Sequence, residues 1–251
     1  MRLRMAGAAV LFIGVPGISF GSTITSGSFD IAGTIFVTAA GASAVITPAG
    51  TCPVDEACIF WQSSVGSVDG GVDISSSGLP NGDIPASLAG NDAANILNLT
   101  NQPVGSSISV PDFMTFNDVG VTTGLTLTLI DSGIFSSTAC TSSPAPGQTC
   151  TPAGSFLSLV NSADGSTASW VFEGTTTEGS TWTGDFTSEF NTSYQTVLGD
   201  LATNGYVSNP FLATITLAAA TTTPEPGSLN FMMICAGLSG FAAFLRRLRA
   251  R

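Results

Sequence analysis

Residues 166–190 read STASWVFEGTTTEGSTWTGDFTSEF. Apolar or small residues recur at every second position: Ala168, Trp170 and Phe172 before Glu178-Gly179, then Trp182, Gly184 and Phe186 after it. Thr183, Asp185, Thr187 and Glu189 occupy the alternate positions. A period of two belongs to strands, and Glu178-Gly179 is a turn signal. The segment therefore predicts a β-hairpin with one aromatic and one hydrophilic face. Outward from it the same alternation returns. Leu125, Leu127 and Leu129 alternate with Thr126 and Thr128, and Phe211, Ala213, Ile215 and Leu217 alternate with Leu212, Thr214 and Thr216. Further strands are expected at 28–37, 44–47, 59–62, 113–116 and 156–160, and only 194–202 reads as a helix. About ten short strands joined by Gly, Asn, Pro and Ser loops predict an all-β domain, an antiparallel sandwich or jelly roll.

The composition of the 251-residue chain suits that reading. Charged residues are only 9%, while the hydrophobic share is an ordinary 43%, enough to build a core. Ser and Thr supply the missing polarity, 31 of each, and Thr serves well on the wet face of a strand. The net charge is −11, which repels phosphate backbones and argues against nucleic acid. With no histidine, the commonest general base and zinc ligand are both missing.

Positive charge is confined to the two ends. There is no lysine, and the six arginines are Arg2, Arg4, Arg246, Arg247, Arg249 and Arg251. Arg2 and Arg4 precede an uncharged, mostly apolar stretch at 5–15. Pro16-Gly17 follows, and then Ser19-Phe20-Gly21, which gives small residues at −3 and −1 for a cut before Ser22. This is the layout of a secretory signal peptide over 1–21, and its apolar part is too short to span a bilayer. At the other end, Pro224-Glu225-Pro226 precedes an apolar stretch at 229–245 and then the arginine cluster. Such a stretch is at the lower limit for a spanning helix, and its arginines would act as a stop-transfer signal on the cytoplasmic side. A plain single-pass tail anchor has the same layout.

Pro224-Glu225-Pro226, Ser228, Gly237-Leu238 and the terminal arginines resemble the PEP-CTERM sorting signal. The resemblance covers 224–251, with Asn230 and Cys235 interrupting the apolar stretch and Leu248 and Ala250 diluting the arginines. It implies a substrate of exosortase in a Gram-negative bacterium. Such a protein passes through the secretion machinery, is held transiently in the inner membrane and reaches the cell surface or an exopolysaccharide matrix. The segments Gly33-Thr34-Ile35-Phe36-Val37, Ile96-Leu97-Asn98-Leu99-Thr100, 147–151 and Trp182-Thr183-Gly184-Asp185-Phe186-Thr187 resemble exported PEP-CTERM proteins of acidobacteria. That second likeness brings no activity with it.

Between the signals, the domain expected at 22–220 carries sixteen acidic residues and no basic side chain, so it can form no side-chain ion pair. Its four cysteines, Cys52, Cys58, Cys140 and Cys150, suggest two disulfides in an oxidising compartment. Of three connectivities, the local pairs Cys52–Cys58 and Cys140–Cys150 are favoured, because each closes a Pro-containing loop. The 221–251 segment is the expected sorting unit.

Candidate sites are few. Calcium could be held by Asp69 and Asp73, by Asn81 and Asp83, or by Asn91, Asp92 and Asn95, but Asp, Asn and Gly are also ordinary turn formers. No cofactor or resident metal is expected. Glu173, Glu178 and Glu189 lie by the aromatic hairpin, yet Glu173 and Glu189 have the parity of the hydrophilic face, opposite Trp170 and Trp182. Serines have no His or Lys to activate them. No catalytic residue is therefore assigned. The expectation is a non-enzymatic surface or matrix protein. The alternative is an exopolysaccharide-binding module, aided by calcium and using Trp61, Tyr194 or Tyr206. A glycan-acting enzyme ranks third.

Overall fold

The structure, a computed structural model, describes residues 23–39, 45–46, 50–53, 56–64, 70–75, 81–118 and 120–220. The expected signal peptide at 1–21 and sorting segment at 221–251 lie outside these, as does Asp69. Contacts divide the chain into Met1–Ala218 and Ala219–Arg251; the fold below belongs to the first unit. Among the described residues no helix is long and apolar enough to cross a membrane.

Eight antiparallel strands close on themselves. They are β1 (Gly27–Thr38), β2 (Gly71–Ile74), β3 (Gly90–Ile96), β4 (Ser107–Phe116), β5 (Gly124–Ile130), β6 (Ser166–Thr176), β7 (Thr181–Phe190) and β8 (Tyr206–Ala218). Each pairs with the next in sequence, and β8 returns to β1 over twelve residue pairs, from Gly27↔Leu217 to Thr38↔Tyr206. The second stave is built in three pieces. Cys58–Gln62, β2 and Asn81–Gly82 pair in turn with successive parts of β1. Leu99–Thr100 continues the third stave against Cys58-Ile59. Thr149–Cys150 and Ser158–Asn161 extend the wall from the first half of β6.

The all-β, antiparallel expectation is met, but the sheet closes into a barrel where a sandwich or jelly roll was expected. Alternation alone makes an inner and an outer face in either architecture. What closes the wall is local irregularity. Register shifts interrupt the β4–β5 ladder twice and the β5–β6 ladder once, between Leu127 and Leu129. Such bulges bend strands and raise their twist, which closure requires. The last shift also changes parity, so Ile130 is buried while Leu129 is only half-buried.

The predicted hairpin is the β6–β7 pair, with Trp170 opposite Phe186 and Glu173 opposite Thr183. Its aromatic face is the barrel interior. Trp170, Phe172, Trp182 and Phe186 are all buried there. An eight-stranded barrel is just wide enough for side chains to fill, and here aromatic rings fill it. Trp61 lies among Phe113, Phe172, Phe186 and Phe211, with ring centroids 5.2–6.5 Å away. Phe113 stacks on Trp182 at 6.0 Å and Trp170 on Phe186 at 5.4 Å.

Two residues show how tightly this works. Gly174 faces inward on β6, and the Trp182 indole lies across it, donating Nε1–H to the Thr126 carbonyl at 3.1 Å. A Cβ at 174 would collide with that carbonyl and with the indole ring. A Cβ at Gly199, in the helix between β7 and β8, would meet nothing within 4 Å. Gly174→Ala is therefore expected to cost about 3 kcal/mol by overpacking. Gly199→Ala should instead stabilise by up to about 1 kcal/mol through helix propensity. Urea unfolding of the two variants beside the parent checks both signs.

Candidate functional site

The meander sorts its connections between two ends. At one end lie the chain's entry into β1 and exit from β8, with the four-residue turn 177–180 and the 117–123 connection. At the other lie 101–106, 131–165 and 191–205, and there the connection after β1 leaves at Ala39 and returns at Ala57. Both disulfides and the helix α1 (Tyr194–Asn204) belong to this second end.

The disulfides are Cys52–Cys58 and Cys140–Cys150, the local pairs favoured from the sequence. Cys52 and Cys58 are buried with Phe60 and half-buried Phe36. The Thr38 hydroxyl accepts from the Cys58 N–H at 2.8 Å and donates to Cys52 Sγ at 3.2 Å, tying the loop to the end of β1. The Cys140–Cys150 loop is joined to the helix by a relay of amide side chains. Asn161 Nδ2 donates to Gln195 Oε1 at 2.9 Å, and Gln195 Nε2 to Gln148 Oε1 at 3.0 Å. Gln148 Nε2 then donates to the Ser143 carbonyl at 3.0 Å and to Ser142 Oγ at 3.2 Å. Asn161 Oδ1 accepts the Tyr194 N–H, and the Ser193 side chain caps the helix at the Thr196 N–H. At the other terminus Gly205, in the left-handed region at φ 79°, stops the helix.

Between these tied loops opens a cleft of about 380 Å³. Its walls are mostly apolar: Val37, Ile59, Leu99, Ile130, Phe156 and Leu157, with Leu198 and Leu201 from α1. Thr38, Asn101, Gln102 and Ser155 add neutral polarity, and among the described residues no charged side chain lines it. The sequence reading named none of these as site residues. The one available signal was the apolar Val197, Leu198 and Leu201 on the predicted helix.

The sequence-derived candidates fall elsewhere. Trp61 and Tyr194 are fully buried, so neither can serve as a glycan platform; of that trio only Tyr206 is exposed. The Tyr194 hydroxyl donates to the Ala139 carbonyl at 3.2 Å, and burial raises its pKa. Glu189 is exposed and Glu173 half-buried on the outer face; Glu178 is at the exposed turn, accepting from the Thr123 hydroxyl. The three do not converge on a cavity with the tryptophans.

Two of the calcium candidates, Asp73 and Asp83, are tied to neighbouring segments, while Asp92 keeps a buried Oδ1 without a hydrogen-bond partner. Buried Asp73 accepts from the Asp92 N–H at 2.9 Å, the Ser64 N–H at 3.2 Å and the Ser64 hydroxyl. Asp83 accepts from the Thr25 and Ser26 hydroxyls, which lower its pKa. Among the described residues no group of three or more His, Cys, Asp or Glu gathers. Pro224, Glu225, Pro226 and the arginines Arg246, Arg247, Arg249 and Arg251 lie outside the described residues.

Two variants probe this end. Replacing Cys140 and Cys150 together by alanine should lower stability by about 2–3 kcal/mol through the freed loop, with the near-ultraviolet circular dichroism of the barrel rings retained. Tyr194→Phe should cost about 1 kcal/mol at neutral pH through the lost hydrogen bond. Burial favours the neutral phenol, so this group's contribution is full below its ordinary pKa of 10.0 and is lost as pH rises through the raised value. Urea midpoints measured from neutral pH to above that value should fall more steeply in the parent than in Tyr194→Phe.

No protein-family model, no curated protein and no solved structure matches the chain.

Proposed function

We propose that the chain is a non-enzymatic exported protein, sorted by exosortase through Pro224-Glu225-Pro226 and displayed at the cell surface or in the extracellular matrix. The observation that carries this reading is the pairing of Gly27 with Leu217. It puts both ends of the folded domain at one end of the barrel, so a leader can be cut and a tail tethered there without touching the fold. The disulfide-tied loops and the cleft occupy the opposite end. Both disulfides support passage through an oxidising compartment, where small exported domains are commonly stapled.

An exopolysaccharide-binding module is the second reading. It is supported by a polar groove of about 330 Å³ at the loop end, where Asp164, Asn191, Thr192 and Ser193 lie beside Pro144 and Pro146. Amide, hydroxyl and carboxylate groups beside flat apolar surface suit sugars, and calcium could bridge an acidic glycan to Asp164. A pull-down on the host's own polysaccharide, with Asp164→Asn and Asn191→Ala variants, distinguishes the two readings.

The main reading is tested by intact mass and cell fractionation of the native protein. The parent should lack 1–21 and the segment beyond the sorting motif. A variant with Pro224, Glu225 and Pro226 changed to alanine should keep its tail and stay in the inner membrane. A parent that retains 224–251 would make this a tail-anchored protein and overturn the sorting assignment.

A further inference from the structure

Three short segments meet at the loop end to make the polar groove of about 330 Å³. They are residues 144–146 of the Cys140–Cys150 loop, the turn 162–165 that leads into β6, and the 191–193 link from β7 to α1. Each is fixed through its backbone. The Gly147 N–H donates to the Asn161 carbonyl at 2.9 Å and the Asn161 N–H to the Gln148 carbonyl at 2.9 Å, tying the proline segment to the wall. The Ser162 N–H donates to the Gly165 carbonyl at 2.9 Å and closes the turn. The Ser166 hydroxyl donates to the Thr192 carbonyl at 2.8 Å, and buried Asn161 accepts the Tyr194 N–H, so the link is held on both sides. A Cβ at Gly165 would collide with the Phe190 carbonyl oxygen, so turn and link touch with no space to shift. The groove is preformed, and a ligand entering it loses little to the ordering of loops.

The side chains that tie these segments are not the ones left to face a ligand. Gln148, Asn161, Ser166 and Ser193 are engaged in the bonds above, the amide relay and the helix cap. Ser162, Asp164, Asn191 and Thr192 line the groove exposed, and their side chains make no hydrogen bond to any described residue. They offer two hydroxyls, an amide and a carboxylate, which together donate and accept as sugar hydroxyls require. Pro144, Ala145 and Pro146 add an apolar flank for the C–H face of a ring.

Charge selects the kind of glycan. No cationic side chain exists between Met5 and Leu245, and the domain carries sixteen acidic ones. Asp164 therefore has no cation of the domain to pair with and lies in a field of its own sign. A uronic or sulfated glycan would enter against that field with nothing to neutralise it, whereas a cationic glycan would be drawn by it. We infer that the groove binds a polysaccharide of hexosamine units whose amino groups are free. One ammonium rests against the Asp164 carboxylate, while Asn191, Thr192 and Ser162 meet ring hydroxyls beside the prolines. This inference rests on the polysaccharide-binding reading and narrows it to one class of sugar; it is independent of the sorting reading.

The test uses the protein recovered from its own host with disulfides intact, titrated by calorimetry with β-1,4-linked tetramers of glucosamine, N-acetylglucosamine and glucose. A galacturonate tetramer, with and without calcium, is the acidic counterpart. The titrations are made at about pH 5.5, above the ordinary carboxylate range, where the amino tetramer is cationic. That tetramer should bind saturably and about 2- to 5-fold more tightly than the acetylated and neutral ones, the worth of one exposed ion pair. Added salt should shrink the advantage. Asp164→Asn should remove it and leave the other tetramers unchanged. Asp185→Asn, which takes the same charge from the exposed outer wall, should leave the advantage in place. Asn191→Ala should weaken every tetramer that binds. If no tetramer binds saturably, the polysaccharide-binding reading fails and this inference with it. Equal binding of all sugars, or tightest binding of galacturonate with calcium, overturns the amino-sugar assignment and leaves that reading standing. So does an advantage that survives Asp164→Asn, or one that Asp185→Asn lowers as much, as attraction to the acidic wall at large would produce.

Discussion

The rest of the molecule depends on β8 pairing with β1. A domain with sixteen acidic residues and no base cannot draw its first and last strands together by charge; the mean field pushes them apart. What joins them is a run of twelve backbone pairs, which satisfies both strand edges and buries Phe211, Ala213, Ile215 and Leu217 inside. Closure gives every stave of the eight-strand wall a neighbour on both sides, the shortest seam being β3 to β4, from Ala94↔Phe116 to Ile96↔Met114. It also sets the outward positions of β7 and β8, where Thr183, Asp185, Thr187, Thr214 and Thr216 meet water. The acids spread over the wall, and Asp30 accepts from the Thr214 hydroxyl across the closing seam at 2.7 Å.

Inside, cohesion comes from rings rather than ions. Rings need room, and glycine provides it: Gly174 admits the Trp182 indole, and Gly33 lies under Phe211, whose ring would be within 2.9 Å of a Cβ there. Edge-to-face and offset contacts each add about 0.5–1.5 kcal/mol beyond burial, so the cluster around Trp61 is a large share of what the barrel has to hold it. Toward α1 the inward pair is Ala168 opposite Ser188, and a small apolar space of about 30 Å³ remains there, bordered by Phe190, Val197, Leu198 and Leu201.

The hairpin was legible because its period is unbroken: Trp170 and Trp182 point inward in the structure as their parity requires, and Glu173 and Glu189 outward. The helix at Tyr194 and the two local disulfides were legible for similar reasons of short range. The second stave was not. Gly71–Ile74 is four residues, all buried, and Asn81–Gly82 is two; no period can be read from such pieces. β3, Gly90–Ile96, was hidden by its Asn- and Asp-rich sequence, which reads as loop. Trp61 is the instructive miss. Between Phe60 and Gln62 it looks like a rim residue, yet its segment pairs with β1 at Ile35 and turns it into the centre of the lumen. Long-range pairing decided its burial. The cleft was illegible for the same reason, being assembled from β1, α1 and three loops that only the closed barrel brings together.

The two ends of the barrel therefore answer to different constraints. At the end holding the chain's entry and exit, acids serve as turn ties: Asp118 accepts from the Gly120 N–H and the Ser87 hydroxyl, and these contacts lower its pKa as the Thr25 and Ser26 hydroxyls lower that of Asp83. These contributions are present above the ordinary carboxylate range and fade as pH falls, so they favour neutral surroundings. At the loop end the ties are neutral, an amide relay and two disulfides, none of which titrates in that range. A surface that must stay shaped through changes of pH and salt is better fixed by such bonds than by carboxylates, because screening and protonation leave them untouched. The two disulfides and the amide relay do not depend on charge, so the loops around the cleft keep their shape under conditions that protonate or screen the carboxylate ties of the other end.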